Sequence, residues 1–171
     1  MNIDLPGRLA RFEDLDAGDF FAFIADDKVH YGIKIWSEAE DIAAAVDLFG
    51  SSRARVKPPA YLSARFFLNK PVFRTPGARI KPDLATMNEG WPDNRDRGVL
   101  ILSDNELLMQ ASFAQDTGMH FCVADGLVRR PASPARAVWF SGWTITNVAE
   151  GAKDEVLCSF AAEQEPALQP V

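Results

Sequence analysis

Residues 98–130 read GVLILSDNELLMQASFAQDTGMHFCVADGLVRR. Apolar runs of strand length alternate here with clusters of turn residues, and that punctuation decides the fold. The reading predicts strands over 99–103, 107–114, 119–124 and 127–130. Turns fall at Asp104-Asn105, near 116–118 and at Asp125-Gly126. Asp-Gly between apolar runs is a strong signal for a two-residue hairpin. Strands spaced roughly ten residues apart indicate an antiparallel sandwich or barrel.

The same pattern continues outward on both sides. Beyond the break at 131–134, residues 137–147 carry Trp139, Phe140, Trp143 and Ile145 and predict one long strand, and 156–161 predict the last. Towards the N-terminus, DFFAFIA (19–25), Asp26-Asp27 and KVHYGIKIW (28–36) form a second hairpin signal. In its second arm Val29, Tyr31, Ile33 and Ile35 alternate with Lys28, His30, Gly32 and Lys34. Period-two alternation predicts one buried face and one polar face, with His30 beside Lys34 on the polar one. Residues 58–98 are dense in Pro and Gly, which excludes long helices; 61–68 and a short edge strand at 72–74 are expected there. Residues 37–50 read two ways. Ser37 and Glu40 match a capping box with helical apolar spacing behind them, whereas 42–48 also suit a strand turning at 49–52 into 53–57.

The pattern Phe12-x-Asp14-Leu15 with Gly18-Asp19-x-Phe21, then Tyr31-x-Ile33-Lys34, then Ala45-Val46-Asp47-Leu48 with Gly50 resembles short β-rich modules of uncharacterised bacterial and phage small proteins. The resemblance covers 12–50 and implies an extended AVDL segment. It implies no activity and no catalytic residues. The expected fold is mainly β, an antiparallel barrel or sandwich with at most one short helix. A single domain over 1–162 is expected, with 163–171 as a flexible tail and a subdivision near 83–98 as the alternative.

Charge is uneven. The chain carries −6 overall, yet 51–82 hold eight basic and no acidic side chains, between flanks of −7 each. Arg53, Arg55 and Lys57 share one face of an extended chain, and Arg65, Lys70, Arg74, Arg79 and Lys81 follow, interleaved with Tyr61, Phe66, Phe67 and Phe73. Such a stretch suits a phosphate-tracking surface with stacking positions. Its plainer reading is neutralisation by the acidic flanks, with the phenylalanines in the core.

Chemical motifs are sparse. There is no Walker loop, no Gly-x-Gly-x-x-Gly, no Gly-x-Ser-x-Gly and no His-Glu-x-x-His. The two histidines are His30 and His120, and the two cysteines, Cys122 and Cys158, sit in apolar runs that predict buried, reduced thiols. His120 and Cys122, two apart on one strand face, are candidates for metal ligands, whose plainer reading is a partly exposed histidine beside a core cysteine. A Cys122–His30 nucleophilic pair has no sequence link. The cluster Glu13, Asp14, Asp16 and Asp19 supplies part of a calcium-loop spacing and otherwise reads as solvated turn carboxylates. Trp91, the large aromatic in a polar loop, is either a contact residue or a side chain folded onto the core.

These features predict a non-enzymatic binding or interaction module that self-associates. The alternatives are a nucleic-acid or polyanion binder using Arg53, Arg55, Lys57 and Arg65, and a metal-assisted enzyme using His30 and His120. No cofactor and no membrane partner is expected. With no apolar run near the roughly 20 residues of a membrane span and no signal-like start, a cytoplasmic location is expected.

Overall fold

The computed structural model describes residues 7–49, 51–52, 55–56, 60–93, 98–112, 118–129, 136–148 and 154–161. Its strands are β1 (Arg8–Ala10), β2 (Phe20–Ala25), β3 (Lys28–Ser37), β4 (Ile42–Phe49), β5 (Ser51–Ser52), β6 (Arg55–Val56), β7 (Ala60–Ser63), β8 (Val72–Arg74) and β9 (Ala78–Pro82). They continue with β10 (Met87–Glu89), β11 (Leu100–Ser103), β12 (Glu106–Ser112), β13 (Gly118–Cys122), β14 (Val128–Arg129), β15 (Ala137–Phe140), β16 (Gly142–Asn147) and β17 (Glu155–Ala161). Helical structure among the described residues is limited to 3-10 turns at Phe12–Asp14, Ala64–Phe67 and Leu84–Thr86. The fold is mainly β, as the turn chemistry implied, although three short helical turns replace the one helix allowed for.

The main sheet runs β1-β8-β2-β3-β4-β7-β12-β11-β15-β10, with β13 and β14 continuing from β12. Among the described residues it does not close, ending at β1, at β10 and at β14, so the architecture is a sandwich. A second sheet, β9-β16-β17, packs on it, and β5-β6 form a separate small hairpin. Pairing is antiparallel apart from the parallel contact of β12 with β7 at Ser112 and Ala60, and a parallel bridge of Trp36 to Leu127. Ile33, Val46, Leu48, Leu100 and Met109 of the main sheet meet Trp143, Ile145, Cys158 and Phe160 of the second in one core. That core joins strands on both sides of 83–98.

Two tight turns form where the acidic and amide residues stand. Asp26 and Asp27 have φ of 50° and 58°, and Asp104 and Asn105 have φ of 49° and 70°. Both pairs lie in the left-handed region that type I′ hairpins require, which Asp and Asn tolerate. The Asp125-Gly126 turn is different. Phe121 pairs with Val128, Cys122 N–H donates to Leu127 and Gly126 N–H donates to Cys122, so the loop spans 123–126 instead of two residues.

Of the two readings of 37–50 the strand holds: Ile42–Phe49 is β4, with Ala44, Val46 and Leu48 in the main core and Ala45 in a second one. Four other expectations are corrected. β4 pairs with β7, and the described part of the expected 53–57 strand, β6, pairs with β5 and not with β4. The strand expected over 61–68 ends at Ser63 and gives way to a 3-10 turn, and β8 is not an edge strand but lies between β1 and β2. The long strand expected over 137–147 breaks at Ser141. There Ser141 N–H donates to the Thr86 carbonyl and Gly142 N–H to Thr86 Oγ1, which satisfies the backbone while the chain passes from the main sheet into the second.

Candidate functional site

The polar face expected on β3 is not polar in its surroundings. His30 is 8% and Lys34 9% exposed, whereas Val29, expected inside, is 44% exposed. A second core of Phe12, Leu15, Phe21, Phe23, Ala45, Phe67 and Val72 covers this face. It is built by two single-turn elements. In 12–15, Phe12 and Leu15 point inward three residues apart while Glu13 and Asp14 stay exposed. In Ala64–Phe67, Phe67 turns in and stacks on Phe12, with ring centroids 4.4 Å apart and planes 12° from parallel.

Lys34 is the hub of this region. Its Nζ donates to the carbonyls of Phe12 (3.2 Å), Glu13 (3.4 Å) and Leu15, and lies 5.2 Å from the Phe12 ring centroid. These acceptors satisfy the ammonium donors without cancelling the charge. Burial pushes the Lys34 pKa down, and the fields of Asp16, Asp19, Asp14 and Glu13 partly oppose that. A second cation ties the same loop: Arg74 of β8 places Nη2 2.9 Å from Asp19 Oδ1 and 3.7 Å from Asp16 Oδ2. The acidic run that resembled part of a calcium loop is thus held by an ammonium and a guanidinium of the chain itself. Spacing along the sequence sets Lys34 beside His30 and in the Tyr31-x-Ile33-Lys34 pattern, and gives it no role. The usable signal was a lysine set between Ile33 and Ile35 with an acidic loop upstream.

Recesses adjoin the Phe12–Phe67 stack. One, of 710 Å³, is lined by Leu9, Arg11, Asp14, Lys70 and Pro71. The other, of 220 Å³, lies between Phe12, Lys34, Ala43, Ala64, Arg65 and Phe67. A third recess of 530 Å³ sits near the far edge of the sheet, between Glu89, Leu102, Asp104 and Arg136.

Of the residues expected to bind polyanions, Arg53 and Lys57 lie outside the described residues, and Arg55 sits on β6. Arg65 is exposed on its 3-10 turn and borders the 220 Å³ recess. The neighbouring basics go separate ways. Arg74 pairs with Asp19 of the N-terminal acidic flank, Lys81 with Asp154 of the C-terminal one, and Lys70 Nζ lies 3.5 Å from the Phe66 ring centroid. Phe67 and Phe73 are buried, as core side chains.

The histidines occupy different places. His30 Nδ1 lies 2.9 Å from Asp47 Oδ2, and its ring lies 5.2 Å from that of Phe23. His120 Nε2 lies 2.9 Å from Oε1 of the fully buried Gln110, whose Nε2 donates to the Asp93 carbonyl at 3.0 Å. That amide orientation makes Oε1 the acceptor, so His120 carries its proton on Nε2. Trp91 folds back onto the cluster of Val99, Ile101, Leu108, Cys122 and Ala137, with its ring 5.5 Å from that of His120. Cys122 and Cys158 are both free and buried, in separate clusters. Burial pushes the Cys158 thiol up to about 12. Among the described residues no three of His, Cys, Asp and Glu converge where they could hold a metal ion, and no helix is long and apolar enough to cross a membrane.

No protein-family model matches this chain, and no curated protein or solved structure matches it.

Proposed function

We propose that this chain is a non-enzymatic binding module that self-associates. The observation that supports this best is the dispersal of its reactive side chains. His30 is engaged by Asp47 beneath the phenylalanine core and His120 by Gln110 beside Trp91, while Cys122 and Cys158 are packed in apolar surroundings. Nucleophilic catalysis by a cysteine needs a base within hydrogen-bond reach of the thiol, and the described partners of His30 and His120 are Asp47 and Gln110. What the surface offers instead is shape: recesses around an aromatic stack, and sheet edges. β17 is seven residues long and pairs with β16 on one side. A strand of that length is a template for pairing with another copy. Light scattering coupled to size-exclusion chromatography across a wide concentration range tests the reading. A mass that rises with concentration is expected, and a strict monomer throughout would refute self-association.

Polyanion binding is the second reading. It is supported by Arg65 and Arg79, which are exposed and make no ion pair among the described residues. The pairing of Arg74 and Lys81 with acidic flanks weighs against it. Fluorescence anisotropy with single- and double-stranded nucleic acids at low and moderate salt decides, since phosphate binding weakens steeply as salt rises.

A further inference from the structure

We propose that the 220 Å³ recess between the Phe12–Phe67 stack and the Ala43–Ala64 wall binds a small apolar monoanion, an aromatic or branched carboxylate, with Arg65 at its mouth as the anion partner. The inference rests on the binding-module reading and names a ligand class for it.

Volume sets the size of the ligand. At 220 Å³ the recess lies below the roughly 300 to 1,000 Å³ of sites for drug-sized molecules, so it suits a single ring or a short branched chain. Its wall sets the body of the ligand. Phe12 and Phe67 present stacked rings, and Ala43, Ala64 and Leu68 complete an apolar lining. Charge sets the head group. The charged side chains on the lining are Lys34, Arg65 and Glu13. Glu13 is matched by Arg11, whose Nη1 lies 3.3 Å from its Oε1. Lys34 has its donors taken by three backbone carbonyls and lies in the fields of Asp16, Asp19 and Asp14, so it is not the head-group partner. Arg65 is exposed with no ion pair among the described residues, and it is the cation left at the recess. An apolar chamber with a guanidinium at its mouth selects an anion with an apolar body, and a guanidinium receives a carboxylate through two parallel hydrogen bonds.

The test uses the full chain with benzoate and phenylacetate as probes and benzamide as the uncharged control, followed by protein NMR. Saturable binding of benzoate is expected to shift the methyl signals of Ala43, Ala64 and Leu68. Benzamide is expected to bind roughly tenfold more weakly, and Arg65→Gln to weaken benzoate by about the same factor, the size of one charge-assisted contact. Ala43→Leu, which fills the recess without touching a charge, should abolish the shifts. Absence of saturable benzoate binding, equal binding of benzamide, an unchanged affinity in Arg65→Gln, or shifts centred elsewhere would each overturn the proposal. Light scattering reads self-association independently, so an associating chain that ignores benzoate loses this inference and keeps the broader reading.

Discussion

Gly18 and Gly126 meet backbone to backbone, although 108 positions separate them in the chain. A Cβ added to Gly126 would lie 2.2 Å from the Gly18 nitrogen and 2.4 Å from the Lys34 carbonyl oxygen. The Lys34 carbonyl accepts from Gly18 N–H at 2.8 Å, and Trp36 N–H donates to the Gly126 carbonyl at 3.0 Å. Through this contact the acidic 12–19 loop is pressed between β3 and the β13–β14 turn. The loop that carries Phe12, and with it the 220 Å³ recess, is therefore positioned by a residue far away in sequence.

Gly126→Ala tests that contact. The substitution puts a methyl group against backbone on two sides at a φ of 69°, and a loss of about 3 kcal/mol or more in denaturant unfolding is expected. Gly90→Ala is the matched control. Gly90 also has a left-handed backbone, φ 85°, but nothing lies within 4 Å of its Cβ position, so only the conformational cost of about 1–2 kcal/mol is expected. Equal losses for the two would show that the Gly18–Gly126 approach does not matter.

Lys34→Met keeps an unbranched side chain, one atom shorter, and removes the donor from three carbonyls. A loss of about 3 kcal/mol at neutral pH is expected, because the orphaned acceptors of the 12–15 turn stay partly buried. The pH dependence has a definite sign. Burial lowers the Lys34 pKa in the folded chain, so just below 10.5 the unfolded chain holds more protons on this group. Its linkage contribution then favours the native state as pH climbs towards 10.5, and the gap between wild type and variant widens over that range. A gap that narrows instead would contradict the buried ammonium.

Cys158 works in the opposite direction. Burial raises its pKa from 9.0 to about 12, so the folded chain keeps a proton that the unfolded chain releases. Its stabilising contribution is complete below pH 9 and is lost as pH rises from about 9 towards 12. Tyr31, raised by burial and by the fields of Cys158 and Glu155, acts with the same sign above pH 10, so the comparison of wild type with Cys158→Ala is read between pH 9 and 10. In the native chain at pH 8, Cys158 should react with a thiol reagent at the rate of opening, not at the rate of a free thiol. Rapid stoichiometric labelling would show that it is not buried.

Gln110→Leu keeps the buried volume and removes the amide that links the Asp93 carbonyl to His120. A loss of about 1–3 kcal/mol is expected from the stranded polar groups. Nitrogen-detected NMR of the wild type should find His120 as the Nε2–H tautomer when neutral, and the variant should relax that preference. An Nδ1–H tautomer in the wild type would refute the hydrogen-bond direction assigned to Gln110.

What residues 98–130 and 19–36 determine is local. Asp26-Asp27 and Asp104-Asn105 make tight hairpins because short polar side chains tolerate a left-handed backbone, and alternation of apolar residues marks the strands between them. The β class follows from these signals without reference to the rest of the chain. Three things did not follow. The break at Ser141 depends on Thr86, which supplies the hydrogen bonds that let one apparent strand serve two sheets. The burial of His30 and Lys34 depends on Phe12 and Phe67, brought over β3 from two separate turns; period two reports a single buried face and has no way to announce a second core on the other. The fate of the basic segment depends on which acidic side chain lies opposite, Asp19 for Arg74 and Asp154 for Lys81, and spacing along the chain carries no information about partners 55 and 73 residues away. Propensity and turn chemistry act over a few residues, whereas burial and pairing are properties of the packed chain, and the recess at Arg65 belongs to the second kind.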